Sequence, residues 1–178
     1  MNNIASVTAV AILTGFSLMA NAESTGEINF TGNITGSTCN VTVDGGQNTI
    51  TLPTVSTSEL KTAGQTTGQT KFVLSLKDCS GDGTVSGFFQ NGATVNSETG
   101  RLIQTDAEGA KNISLELLDG TNGSVIFIGN QNQSETNYFA QINDGEEIKL
   151  PYSIRYYSEG TASSGAVASS LIYNLQYK

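Results

Sequence analysis

The chain has 178 residues, with 8 Lys and Arg against 16 Asp and Glu and no His, for a formal charge of -8 at pH 7. That balance, with no cluster of basic residues, argues against nucleic acid and anionic membranes as partners. The lack of imidazole removes the commonest component of metal centres and of nucleophile–base pairs. Abundant Thr, Ser, Gly and Asn, with only 2 Pro, favour short strands and turns over helices.

Residues 1–22 contain no Asp, Glu, Lys or Arg, and an apolar run over 7–19 closes on Ala20-Asn21-Ala22. Small residues at the last and third-last places predict signal-peptidase cleavage after Ala22. The competing reading is a membrane anchor, but the run is shorter than the roughly 20 apolar residues of a span and lacks basic flanks. Residues 23–178 then form one domain, long enough for a single core.

The stretch Gly26-Glu27-Ile28-Asn29-Phe30-Thr31-Gly32-Asn33-Ile34 alternates apolar or small residues with polar ones. This is the period of a half-buried strand. Taken alone, it is either the first strand of its own domain or a strand offered to another molecule. Cys39 and Cys79 are the only cysteines, and both follow the cleavage site. An even pair in an exported chain predicts one disulfide. A metal site needs about four ligands and a nucleophilic cysteine needs a base, and the sequence offers neither.

Further along, short segments each turn one apolar face inward: Cys39-Val41-Val43, Ile50-Leu52, Phe72-Leu74-Leu76, Val85-Phe89, Ile113-Leu115-Leu117, Val125-Phe127, Tyr138-Ala140-Ile142 and Ile148-Leu150-Tyr152-Ile154-Tyr156. Turns such as Asp44-Gly45-Gly46, Gly81-Asp82-Gly83, Asp119-Gly120, Asn122-Gly123 and Asn143-Asp144-Gly145 separate them, with residues that tolerate positive φ. The pattern predicts an antiparallel sandwich or barrel. Pro151 predicts an edge position or a bulge, and the polar stretch 56–70 predicts one helical turn at 58–63. The chain closes on another alternating strand, Leu171-Ile172-Tyr173-Asn174-Leu175-Gln176-Tyr177-Lys178. With sticky strands at both ends, the sequence suggests a polymer. Asp78, Asp106, Glu116 and Asp144 fall in no recognisable acid–base pairing, and no G-x-S-x-G elbow is present. The expectation is a protein that is not an enzyme and uses no cofactor and no metal.

The order of these features resembles a major pilin (major fimbrial subunit) of the chaperone-usher family, type 1 pilus-like. The likeness spans essentially the whole chain. It rests on Ala20-Asn21-Ala22, the segment 26–32, Ser37-Thr38-Cys39-Asn40-Val41 and Leu76-Lys77-Asp78-Cys79. It continues in Ile148-Lys149-Leu150-Pro151-Tyr152 leading to Arg155-Tyr156-Tyr157, Gly165 fourteenth from the end, and penultimate Tyr177.

The resemblance implies an all-β fold, an incomplete immunoglobulin-like antiparallel sandwich completed by a donor strand from a neighbouring subunit. It divides the chain into a signal peptide (1–22), an N-terminal donor-strand extension (23–36) and a pilin domain (37–178). In such subunits a periplasmic chaperone lends a strand to the open groove. At an outer-membrane usher the next subunit's extension replaces it, head to tail, and a rod grows. Carried over, Ile28, Phe30 and Ile34 are the plugs of the donor strand, with Gly26 and Gly32 on the same face. Gly165, Tyr173, Leu175 and Tyr177 belong to the groove and chaperone-binding strand, and the carboxylate of Lys178 meets basic residues of the chaperone. The implied partners are identical or related pilins, the chaperone, the usher and a host-cell receptor reached through a separate tip adhesin. The implied place is the extracellular fimbrium, reached through the periplasm, in support of cell adhesion. The alternative is a single-domain secreted lectin, or a fimbrial adhesin or adaptor subunit, with Tyr138, Tyr156 or Tyr157 as ligand contacts. Tip adhesins of this kind carry an additional receptor-binding domain, which weighs towards the structural subunit.

Overall fold

A computed structural model describes residues 28–32, 38–43 and 46–178. The signal segment 1–22, Gly26, Ile34 and the Asp44-Gly45 part of the first turn lie outside the described residues. The chain divides into two compact units, Met1–Asn33 and Ile34–Lys178. In the first, residues 28–32 carry no regular secondary structure, and Ile28 and Phe30 are 76% and 89% exposed.

The second unit runs β1 (Thr38–Val43), a 3-10 turn (Thr57–Glu59), β2 (Thr66–Ser80), β3 (Thr84–Phe89), β4 (Val95–Asn96), β5 (Arg101–Ile103), β6 (Ile113–Asp119), α1 (Gln133–Thr136), β7 (Ala140–Gln141), β8 (Ile148–Ser158) and β9 (Tyr173–Tyr177). They form two antiparallel sheets, one ordered β1-β2-β8-β6-β5-β4 and the other β7-β3-β9. Alternation dictates the core between them. Phe72, Leu74 and Leu76 of β2, Leu115 and Leu117 of β6, and Leu150, Tyr152 and Ile154 of β8 form one buried cluster with Val85 and Phe89 of β3. Tyr152 meets the Phe89 ring edge-on at 4.9 Å, and its oxygen accepts the N–H of Gly87 at 3.0 Å. Burial pushes that hydroxyl's pKa above the usual 10.0.

Three expectations need correction. β8 is an interior strand, paired with β2 on one side and β6 on the other without a bulge at Pro151, so Pro151 is not on an edge strand. Proline is tolerated because β6 ends at Asp119, opposite Tyr152. In an antiparallel strand the N and O of one residue face the same side, and Pro151 O accepts from Gly120 N at 3.0 Å. The missing N–H therefore faces the departing turn, and no ladder bond is lost.

Val125-Phe127 has the opposite phase from that expected. Ile126 and Ile128 are buried whereas Val125 is exposed. Four consecutive apolar residues leave the period ambiguous, and the bond from Ile126 N to Leu117 O decides which pair faces in. The helical turn is shorter than expected, a single 3-10 turn over Thr57–Glu59 whose N-terminus is capped by the Ser56 hydroxyl.

Cys39 of β1 and Cys79 of β2 are joined by a disulfide across a sequence separation of 40. Among the described residues β1 has one neighbouring strand, β2, so this bond fastens an edge. Closing such a loop stabilises by roughly 4 kcal/mol in the chain-entropy account. Replacing both cysteines by Ser is expected to lower the unfolding free energy by about that amount, read from the midpoint of urea denaturation. An unchanged midpoint would mean the loop is held by packing alone.

Candidate functional site

The alternation that builds the core continues past the last paired strand. From Val167 to Leu175 the odd-numbered residues are half-buried and the even-numbered ones exposed. The half-buried set is Val167, Ser169, Leu171, Tyr173 and Leu175. On the other side, Cys39, Val41 and Val43 of β1, then Ile50 and Leu52, are likewise half-buried against the main cluster. Each row has its inner face on the core, yet among the described residues no further strand covers either. Among the described residues β9 pairs with β3 alone and β1 with β2 alone. Two strand edges are therefore open.

Between the rows lies an apolar groove. Its larger part, about 540 Å³, has Ile50, Leu52, Leu171 and Tyr173 on its walls and Phe72 and Leu102 among its lining. A second part, about 350 Å³, shares Leu52 and is lined by Val55, Leu60, Ile113, Tyr156 and Val167. Among the described residues no Asp, Glu, Lys or Arg lines either part. An uncharged trough of this kind offers no acid–base pair, and it fits apolar side chains projecting from an extended backbone. Tyr156 donates its hydroxyl to Pro53 O at 3.2 Å, and burial raises its pKa. The Ser169 hydroxyl, also in the lining, is buried without a hydrogen-bond partner among the described residues. At one end the rows are tied together where Cys39 N–H donates to the Tyr177 hydroxyl at 3.2 Å.

Of the residues read from the sequence, Tyr173 lines the groove, and Leu175 and Tyr177 pack half-buried against the main cluster. Lys178 and Thr84 exchange two backbone bonds, Lys178 N to Thr84 O at 3.0 Å and Thr84 N to Lys178 O at 2.8 Å. The Lys178 ammonium sits 3.9 Å from the Phe139 ring centroid. Gly165 lies where its segment crosses residues 109–110. A Cβ there would stand 2.5 Å from Ala110 N and 2.8 Å from Gly109 C, so the close approach demands glycine. Ile28, Phe30 and Gly32 belong to the other unit, exposed in the case of Ile28 and Phe30, and a Cβ on Gly32 would meet nothing within 4 Å. Gly26 and Ile34 lie outside the described residues.

Two of the carboxylates singled out as lone candidates hold the strands together. Glu116 is clamped by Arg155 at 2.5 Å and Arg101 at 3.3 Å, and Asp78 accepts from the Asn40 amide. Tyr138 is exposed, whereas Tyr157 is half-buried beneath the Arg101 guanidinium, 3.5 Å from its ring centroid. Sequence reading missed the wall residues Val167, Ser169 and Leu171 as a row. The signal was weak, since Ser169-Ser170 and Ala166, Val167 and Ala168 blur the period of two that the structure carries back to Val167.

A family model described as "Type-1 fimbrial protein, A" matches residues 52–178, which include one wall of this groove and most of its floor. The chain belongs to the type-1 fimbrial protein A family. It is 38% identical over 165 residues to "Major fimbrial subunit SMF-1" of Stenotrophomonas maltophilia (strain K279a), covering 90% of this chain and 96% of the relative. It is 31% identical over 174 residues to "F17 fimbrial protein" of Escherichia coli, covering 95% and 96%. The fold matches the crystal structure of the P pilus rod subunit PapA with a TM-score of 0.60 at 19% identity, over 79% of this chain and 99% of that one. As a member of the type-1 fimbrial protein A family, the chain is a structural fimbrial subunit, and the family is one of structural pilin subunits, not of enzymes. Subunits of this family are assembled on the cell surface.

Proposed function

We propose that the groove accepts a β-strand from the N-terminal extension of a neighbouring subunit, and that residues 23–36 of this chain are the strand it donates in turn. The observation that carries this reading is the pair of unpaired edges, β1 and β9, flanking one uncharged apolar trough. A strand laid there gains main-chain hydrogen bonds from an edge and buries alternate side chains. The donor assignment is supported by the exposure of Ile28 and Phe30 and by the spacing that places Ile28, Phe30 and Ile34 on one face with Gly26 and Gly32. Because each copy has one groove and one extension, the contact is head to tail and generates a filament.

Until a neighbour arrives, such a trough invites aggregation. A periplasmic chaperone lending a strand would cover it, gripping the row from Gly165 through Tyr173, Leu175 and Tyr177. Since Thr84 N–H already holds Lys178 O, the other carboxylate oxygen is the one left for a basic residue of the chaperone. Exchange at an outer-membrane usher then places the subunit in the extracellular fimbrium, where it supports adhesion through a separate tip subunit. The tripartite division into 1–22, 23–36 and 37–178 follows from the same reading.

The test is an unheated denaturing gel of the assembled protein from cells. Chains joined by strand exchange are expected to run as a ladder that boiling collapses, and deletion of 23–36 is expected to leave monomer. A ladder that survives the deletion would assign polymerisation to another surface.

A further inference from the structure

Two Asn-Gly steps, Asn91-Gly92 and Asn122-Gly123, are exposed outside the strands, and their surroundings differ in a way that bears on covalent chemistry. Asparagine side-chain amides are lost spontaneously when the following backbone nitrogen attacks Cγ. Glycine at the following position removes the steric bar to that approach. At Asn91 the Gly92 N–H points at the residue's own Oδ1, 3.0 Å away. Because Oδ1 is bonded to Cγ, the attacking nitrogen stands beside the carbon it would join, and among the described residues no other acceptor holds that N–H. At Asn122 the arrangement is the reverse. Its Oδ1 accepts from Ser124 N at 2.8 Å, and Gly123 N–H is held by Asp119 O at 2.8 Å.

We propose that Asn91 is a site of spontaneous deamidation through a succinimide, and that Asn122 is protected from the same reaction by the bond between Gly123 and Asp119. In the first step Gly92 N bonds to Asn91 Cγ, the Cγ–Nδ2 bond breaks, and the proton from Gly92 N leaves with Nδ2 as ammonia. Water then adds at one of the two ring carbonyls, the bond from that carbon to the ring nitrogen breaks, and a proton of the water passes to the nitrogen. The product at this position is an aspartyl residue or its isoaspartyl isomer, with one added negative charge and no oxidant or reductant required. The isoaspartyl product adds a methylene to the main chain beside Gln90, whose N–H donates to Ile172 O at 2.8 Å, just before β9. Ageing of the protein would thus be written next to the strand that walls the groove.

The experiment incubates the purified full-length secreted protein, folded and urea-unfolded, at mildly alkaline pH in heavy-oxygen water, with peptide mapping by mass spectrometry. In the folded protein the Asn91 peptide is expected to take up label at least about tenfold faster than the Asn122 peptide, the factor carried by the ~1.4 kcal/mol of a hydrogen bond that must first open. In the unfolded chain the two rates should converge. Gly92→Ala is a suitable variant, because a Cβ there meets nothing within 4 Å. It is expected to slow Asn91 severalfold while leaving the melting temperature in place. Equal folded-state rates, a faster Asn122, no reaction at Asn91, or an unaltered rate in Gly92→Ala would each overturn the assignment.

Discussion

Moving residues 23–36 to the C-terminus through a flexible linker is expected to give a soluble monomer that folds without a chaperone and melts far above residues 37–178 alone. The relocated segment would lie in the protein's own groove, where Ile28, Phe30 and Ile34 exchange water for the apolar lining around Leu52, Phe72 and Leu171. Full burial of three such side chains contributes on the order of 5 to 9 kcal/mol. For a domain of this size each kcal/mol moves the midpoint by about 2 to 4 °C, so the shift is on the order of 10 to 36 °C. Main-chain bonds to the open edges of β1 and β9 would add to it. The linker costs little, because closure entropy grows only slowly with loop length. Calorimetry of the two proteins decides the matter. Equal midpoints would mean that 28–34 does not fit the trough and that the extension has another use.

The fold was legible wherever burial enforces a period. β2, β3, β6 and β8 fall where alternation places them, because each has one face on the main cluster. β4 and β5 were not legible, since two or three residues are too few for a period to register. The run over 125–128 is apolar throughout, so a backbone bond rather than the pattern sets its phase. α1 was missed because its role is polar. The buried Gln133 amide holds both the N–H of Phe89, at 3.0 Å, and its C=O, at 2.9 Å, standing in for a neighbouring strand where β7 has stopped. No periodicity announces a side chain that imitates a backbone.

The groove was legible in a different manner. Ile50-Leu52 has the alternation of a strand but forms none here. An amphipathic segment that remains unpaired is what a missing neighbour leaves behind. The same holds for Val167 to Leu171, which keep the inward phase of β9 while their free edge faces the trough. The half-burial of these residues is thus the physical form of the incompleteness that the family resemblance implied.

If the trough receives alternate residues of the extension, neighbouring substitutions should differ sharply in effect. Phe30→Asp is expected to abolish fibre growth, because it places an unpaired carboxylate against an apolar lining that contains no Lys or Arg, at a cost of several kcal/mol beyond the lost burial. Asn29→Asp adds the same charge one position away. The period of two turns it to the solvent face of the inserted strand, so fibres should form nearly as in the unaltered protein. Neither change touches residues 37–178, so both subunits should fold and be held by a strand-lending chaperone alike. Electron microscopy of cell-surface fibres, with chaperone co-purification as the folding control, reads both arms. Equal fibre yields from the two variants would show that the extension does not enter the groove with Ile28, Phe30 and Ile34 inward. Loss of chaperone binding in Phe30→Asp would mean that the substitution acts on folding of the subunit that carries it rather than on its donation to the next.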